Sequence, residues 1–166
     1  NFIFLNREIN KINALKKYNN FLKENFVVIG GTFFQNDELE ELLSKGKKMN
    51  LVLGAYINKS QIKYYKKFKP KKIIFNPYNY LHLISNSKKI FCKFGISVFE
   101  IIALGIKPYI FIQNEKGDRM REIKWLNKNN FANTKNYTTR HKKNINFNIN
   151  KNLDKISNLL KKKIYE

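Results

Sequence analysis

One cysteine, three prolines, seven glycines and 12 acidic residues are the scarce parts of this 166-residue sequence. The lone Cys92 forms no internal disulfide and no metal cluster, which excludes a disulfide-stapled scaffold and a zinc module. No apolar run reaches the roughly 18 residues of a membrane span. The first residues lack a signal-peptide pattern. No Pro- or Gly-rich linker and no internal repeat divides the chain. An aromatic share of 14% is too high for a disordered chain. The expectation is a cytoplasmic soluble domain. It begins at Asn1 rather than Met, as a fragment of a longer protein would.

What the sequence has in excess is lysine. Thirty-three Lys and Arg against 12 Asp and Glu give a net charge of +21, and 29 Lys, 25 Asn and 21 Ile make up nearly half the chain. A folded basic domain points to nucleic acid, an anionic membrane or an anionic small molecule as partner. A second origin competes. These three residues have A/T-rich codons, so a base-biased genome yields the same charge with no functional cause. The length and the 43% apolar share suit one domain, which at this size buries roughly 70% of the surface of its unfolded chain.

The middle of the chain alternates short apolar runs with helical patterns. The runs are Phe26–Gly30, Leu51–Ala55, Lys72–Phe75, Lys89–Cys92 and Pro108–Ile112. Continuous β-branched and aromatic runs of this length predict strands covered on both faces, as in parallel sheets. The intervals of about 10–15 residues each fit one crossover helix. Asp37 with Glu40, and Ser97 with Glu100, have capping-box spacing ahead of apolar helical positions. Gly105 is placed to stop the second of these helices, and Asp118 to cap the next. Leu153, Ile156, Leu159, Leu160 and Ile164 mark a final amphipathic helix, and 145–149 allows a weak strand. Ile9, Ile12 and Leu15 allow a helix in the asparagine-rich first 20 residues. The sum predicts an α/β fold: a Rossmann-like doubly wound parallel sheet of five to six strands.

Ligands of such sheets bind outside the carboxyl ends of the strands. The first strand exits into Gly30-Gly31-Thr32, where backbone N–H groups can meet a phosphate or sugar oxygen. An ordinary β–α turn reads the same way. No Gly-x-Gly-x-x-Gly or P-loop pattern is present, which argues against a standard dinucleotide or ATP site. The fourth strand exits into Lys93-Phe94-Gly95-Ile96-Ser97, with Glu100 one turn on. Gly95, Ile96 and Ser97 would open a helix N-terminus, which favours an anion. Lys93 adds charge, and Glu100 offers two acceptor oxygens for a ribose diol. The competing reading makes Ser97 and Glu100 only a capping box. Asn76, Pro77 and Tyr78 follow the third strand and could shape a slot for a base, or simply a turn. The fifth strand exits through Gln113, Asn114 and Glu115, which could touch a sugar or form a solvated loop. Together these exits suit a nucleoside diphosphate.

Gly95-Ile-Ser-Val-Phe-Glu-Ile-Ile-Ala-Leu-Gly-Ile-Lys-Pro-Tyr-Ile-Phe-Ile112 resembles the Gly-x-Ser/Thr-x-x-Glu…Leu-Gly-x-Pro signature of C-terminal domains of MurG-type glycosyltransferases. The nearest resemblance is to PseG-like nucleotide-sugar hydrolases of the pseudaminic acid pathway and to SpsG-type polysaccharide proteins. Gly30-Gly31-Thr32 resembles their Gly-Gly-Ser/Thr turn. Phe4–Ile9 resembles their Leu-Leu-Arg-x-Glu-Phe segment, and Leu81–Ser87 the helix before the signature strand. The likeness covers most of residues 2–132 in order and spacing.

The resemblance implies the C-terminal half of a GT-B type enzyme, with the active site in a cleft between two Rossmann-like halves. Residues 1–25 would then be a linker from an N-terminal domain, and 26–166 the UDP-binding domain. Glu100 would hold the ribose, Gly95, Ile96 and Ser97 with Lys93 the diphosphate, and Asn76, Pro77 and Tyr78 the uracil. Gly30, Gly31 and Thr32 would approach the diphosphate or sugar, and Asn114 and Glu115 the sugar. The ligand would be UDP or a UDP-sugar, with no metal and no resident cofactor. Phe33 stands where the PseG-like pattern has Asp, and Asn114-Glu115 where it has Asn-Gln, which leaves the sugar and the branch open. Asp118-Arg119 resembles a pair in the MurG-type enzymes.

The family's histidine base lies in its N-terminal half, so no catalytic residue is expected in this chain. His82 fits a surface or structural helix position, His141 a solvated stretch and Cys92 a buried thiol. Two other functions compete. Lys63-Tyr-Tyr-Lys-Lys-Phe-Lys-Pro-Lys-Lys72 interleaves basic and aromatic residues, as a basic nucleic-acid-binding module would. No nucleic-acid motif accompanies it, and a solvated helix is the plainer reading. The final helix, with Lys161 to Lys163, allows peripheral membrane contact.

Overall fold

Five runs of apolar residues lie side by side because each has a hydrophobic face on both sides to cover. In the computed structural model, which describes residues 24–44, 49–85, 87–112 and 116–134, they form β1 (Asn25–Ile29), β2 (Met49–Leu53), β3 (Lys72–Phe75), β4 (Lys89–Lys93) and β5 (Tyr109–Phe111). The helices between them are α1 (Asp37–Ser44), α2 (Lys59–Lys66), α3 (Tyr80–Ile84), α4 (Ile96–Ala103) and α5 (Gly117–Lys128). All strand pairs are parallel, in the order β3-β2-β1-β4-β5. Asn133 adds a single parallel bridge to Tyr109 beyond β5.

Alternation along the strands sorts the core into two layers. Val27, Ile29, Leu51 and Leu53 pack under Leu39 and Leu43 of α1 and Tyr65 of α2. Phe26, Val28, Val52, Ile90, Cys92 and Ile110 pack under Ile84 of α3, Val98, Ile101 and Ile102 of α4, and Ile123 and Leu126 of α5. Right-handed crossovers explain the split: β1 to β3 step outward on one side, and the return to β4 passes over the other face. The result is an α/β Rossmann-like arrangement with helices on both faces. Each fully buried Leu or Ile contributes roughly 1.5–3 kcal/mol. Cys92 is fully buried, and burial pushes its thiol pKa up.

Several local expectations need correcting. Glu24 and Asn25 join the sheet. Asn25 opens β1, and Glu24 binds Lys71 ahead of β3 and accepts from Asn50 Nδ2 of β2 at 2.6 Å. That clamp ties three strands at the amino edge. The cap of α1 is Asn36, whose Oδ1 accepts from Leu39 N at 2.8 Å; Asp37 is the first helical residue. At α4 the N-cap position is Gly95, with no side-chain cap hydrogen bond, so Ser97 and Glu100 are not a capping box. Asp118 does not cap α5, which starts at Gly117; it pairs with Arg121 instead. A reciprocal box does form at α2, between Asn58 and Gln61. Gly105, at φ 73°, ends α4 as expected. Phe4–Ile9, the weak strand at 145–149, His141 and the final helix lie outside the described residues.

Candidate functional site

The strand order makes β1 and β4 neighbours, and the chain leaves them toward opposite faces. From β1 it runs to α1, and from β4 to α4. A crevice opens between two such exits because neither connection crosses it. Its walls are the turn after Ile29 and the turn after Lys93.

The first turn is held from three sides. Gly54 N–H donates to Ile29 O at 2.9 Å, and a Cβ at Gly54 would lie 2.6 Å from Gly30 O. The β2 exit therefore lies flat against the β1 exit, which only glycine at 54 permits. A Cβ at Gly31 would stand 3.3 Å from the Tyr56 ring. Farther on, the Tyr65 hydroxyl donates to Phe34 O at 2.6 Å and accepts from Phe34 N at 3.2 Å. Burial pushes the Tyr65 phenol up to about 12, so it remains a donor. Phe33 packs against Tyr64 and Tyr65 in this aromatic group. Its position, where a carboxylate was the family expectation, is occupied by packing.

The second turn meets the first. Lys93 Nζ donates to Thr32 Oγ1 at 3.2 Å and stands 5.6 Å from the centre of the Phe34 ring. Ser97 Oγ faces Gly30, where a Cβ would stand 3.7 Å away. With Gly95 at the N-cap and no capping side chain, the N–H groups of Ile96 and Ser97 have no acceptor among the described residues. Gly95 has extended backbone, and a Cβ there would meet nothing within 4 Å. Neither conformation nor packing within the described chain calls for glycine at 95, and the space before it is free.

Glu100 lies one turn into α4. Its carboxylate makes no hydrogen bond and no ion pair with the described residues, although it is half-buried, and burial raises its pKa. An unpaired, desolvated carboxylate in a chain of net charge +21 is a costly placement. Near it the Tyr80 hydroxyl of α3 is buried and has no hydrogen-bond partner placed on it among the described residues. Burial first, then the nearby Glu100 and Cys92 side chains, raise its pKa, and the neighbouring Ser97 hydroxyl lowers it in part.

The structure thus brings together Gly30, Thr32, Lys93, Gly95, Ser97 and Glu100 around one crevice. Gly31 borders it, with the Tyr56 ring over it. Ile96 projects outward, 79% exposed. Asn76, Pro77 and Tyr78 occupy the same carboxyl edge but follow β3, two strands from β1, or about 10 Å along the sheet. Asn76 takes a left-handed φ of 40° and donates its N–H to Leu53 O at 2.8 Å; Tyr78 is fully exposed. Asn114 and Glu115 lie outside the described residues.

Reasoning from the sequence missed Gly54, Tyr56 and Tyr80. The first two follow β2, and the carboxyl-edge rule applied to that strand exit finds them. Tyr80 carries no sequence signal, since it reads as an ordinary residue opening a helix. The Lys63–Lys72 stretch lacks the free aromatics a nucleic-acid platform needs. Tyr65 is fully buried, Tyr64 donates to Glu40 at 2.5 Å, and Phe68 packs against Tyr64. His82 is exposed on α3. Among the described residues no group of His, Cys, Asp and Glu is placed to hold a metal, and no helix is long and apolar enough to cross a membrane. Comparison with protein-family models and with curated proteins gives no match.

Proposed function

We propose that this chain is the nucleotide-binding half of a UDP-sugar hydrolase or glycosyltransferase of surface-polysaccharide or pseudaminic-type sugar synthesis. The observation that carries the reading is Glu100: a half-buried carboxylate with no partner among the described residues, one turn into a helix whose start has no side-chain cap among them. Those are the complementary needs of a nucleoside diphosphate, a diol for the carboxylate and an anion for the N–H groups. The likeness of Gly95–Ile112 to the UDP-binding signature supplies uracil as the base.

In this reading Glu100 accepts the two ribose hydroxyls. Ile96 N–H, Ser97 N–H and the Ser97 hydroxyl donate to the diphosphate, and Lys93 swings from Thr32 to the same charge. When the anomeric C–O bond breaks, its electron pair goes to the β-phosphate oxygen of departing UDP. The α4 N-terminus and the Lys93 ammonium stabilise that charge. Water or an acceptor hydroxyl forms the new bond and gives its proton to a base on an N-terminal half or a partner chain.

The test is calorimetric titration of UDP, UMP, CDP and a single-stranded oligonucleotide into the 166-residue chain. UDP should bind best, and Glu100→Ala should weaken it at least tenfold, the loss of a charge-assisted pair of hydrogen bonds. Binding of the oligonucleotide alone, with a steep salt dependence, refutes the proposal.

A further inference from the structure

Among the described residues, four large apolar side chains are exposed: Tyr56 at 85%, Phe75 at 48%, Tyr78 at 101% and Ile96 at 79%. Each stands at or just past the carboxyl end of a strand: Tyr56 after β2, Phe75 and Tyr78 at β3, and Ile96 after β4. Apolar exposure gathered at one edge marks a place where something binds. Tyr56 is the aromatic ring seated on the crevice wall, at Gly31.

The backbone on both sides holds the ring there. Gly54 lies flat on the Gly30 carbonyl, and Ile57 is buried in the core. Ile57 N–H donates to Gly54 O at 3.3 Å, which closes a turn with Tyr56 inside it. The ring meets Gly31 edge-on. A Cβ at Gly31 would have two ring atoms within 4 Å, Cδ2 at 3.3 Å and Cε2 at 3.9 Å, and these share one edge. A Cβ over the ring face would stand at similar distances from all six carbons. Gly31 therefore leaves both faces of the ring clear.

Ser97 Oγ faces Gly30, and the Tyr56 ring edge faces Gly31. These two glycines are consecutive, with Cα atoms about 3.8 Å apart. Glu100 belongs to α4, which covers one face of the sheet with α3 and α5, whereas Gly31 and Tyr56 lead into α1 and α2 on the other face. A nucleoside held at Glu100 and a diphosphate held at Ser97 and Gly30 therefore run toward Tyr56. The next group along is the sugar on the β-phosphate. A pyranose is polar around its rim and apolar on its C–H face, and an open aromatic face covers such a surface. We propose that Tyr56 is a sugar-binding residue, whose ring stacks on the C–H face of the pyranose of a UDP-sugar. This rests on the nucleotide-binding reading above and extends it to the β2 exit, which that reading leaves without a role.

The experiment titrates the 166-residue chain, Tyr56→Ala and Tyr56→Phe with UDP and with UDP-N-acetylglucosamine, which carries a pyranose on the β-phosphate. Tyr56 is 85% exposed, so the melting temperature should hold in both variants. In Tyr56→Ala the affinity for UDP-N-acetylglucosamine should fall roughly five- to thirtyfold, the effect of uncovering about 40–80 Å² of apolar surface. UDP affinity should change less than about twofold, because UDP carries no sugar beyond its β-phosphate. Tyr56→Phe keeps the ring and should bind both ligands like the parent. Proton NMR supplies a second readout: the pyranose C–H signals should move upfield on binding, and that shift should vanish in Tyr56→Ala. Unchanged binding of UDP-N-acetylglucosamine by Tyr56→Ala overturns the proposal. So does an equal loss for both ligands, which places the ring against the nucleotide, or a loss in Tyr56→Phe as large as in Tyr56→Ala, which assigns the effect to the hydroxyl. Failure of the unaltered chain to bind UDP overturns the nucleotide reading itself, and the proposal with it.

Discussion

The Tyr65 hydroxyl bonds both backbone polar groups of Phe34, its N–H and its carbonyl, and Tyr65→Phe isolates its contribution. The ring stays, so contacts with Phe33 at 5.6 Å and Tyr64 at 5.2 Å between centroids are kept. What goes is a pair of bonds, to Phe34 O at 2.6 Å and from Phe34 N at 3.2 Å. Phe34 is 1% exposed, so water does not replace them. A buried donor or acceptor left unpaired costs about 1–3 kcal/mol. Two such groups on one residue, with some local relaxation, give a loss of about 2–4 kcal/mol. For a domain of this size that lowers the melting temperature by on the order of 10 °C. Urea denaturation measures it directly: the midpoint should drop while the slope is unchanged, because the surface exposed on unfolding is the same. The loosened segment also carries Thr32 and the Phe34 ring beside Lys93, so UDP affinity should fall with stability. A loss below about 0.5 kcal/mol would mean the Phe34 peptide finds other partners. The account of how this turn is held would then be wrong.

Two glycines should separate by role. Gly54→Ala forces a Cβ to within 2.6 Å of Gly30 O and should cost about 1–3 kcal/mol in a denaturation assay. Gly95→Ala meets open space, so its melting temperature should match the parent while UDP affinity collapses. Glu100→Gln should do opposite things to stability and binding. Burial raises the Glu100 pKa in the folded state, so at neutral pH folding holds a charge its surroundings disfavour. The amide should therefore melt higher at pH 7, with the gain vanishing below the ordinary carboxyl value of 4.5, where both states carry the proton, and it should bind UDP more weakly. The hydrogen bond from Lys71 holds the Glu24 pKa below 4.5, so its stabilisation is present above that value and is lost as pH falls through the lowered one. Glu24→Gln should accordingly lose less stability than the parent in an acid titration, and the difference should shrink in high salt.

Much of the fold was legible because it depends on periodicity. The runs at 26–30, 51–55, 72–75, 89–92 and 108–112 each name a strand to within two residues. Continuous apolar character marked them as two-face-buried and parallel. Helix starts were less legible. Asn36 and Asp37, or Gly95 and Ser97, are all acceptable near an N-terminus, and the choice is made by where the strand before them ends. At α4 this changed the meaning of the site. Sequence spacing left Ser97 and Glu100 as a possible capping pair, and only the placement of Gly95 at the N-cap freed both side chains.

The sequence by itself determined the strands, the helices between them, and the glycines and polar residues at four strand exits. Those are local properties, written in spacing and residue type. The tertiary structure decided which exits face each other. It placed β4 beside β1 and so set Lys93 on Thr32 and Ser97 opposite Gly30. It left Asn76, Pro77 and Tyr78 about 10 Å along the edge. It packed the Lys63–Lys72 aromatics inward, and it buried the Tyr80 hydroxyl beside Ser97 and Glu100. None of this is readable from a run of residues, because strand order is chosen by how crossover helices cover the two faces of the sheet, a balance struck over the whole domain.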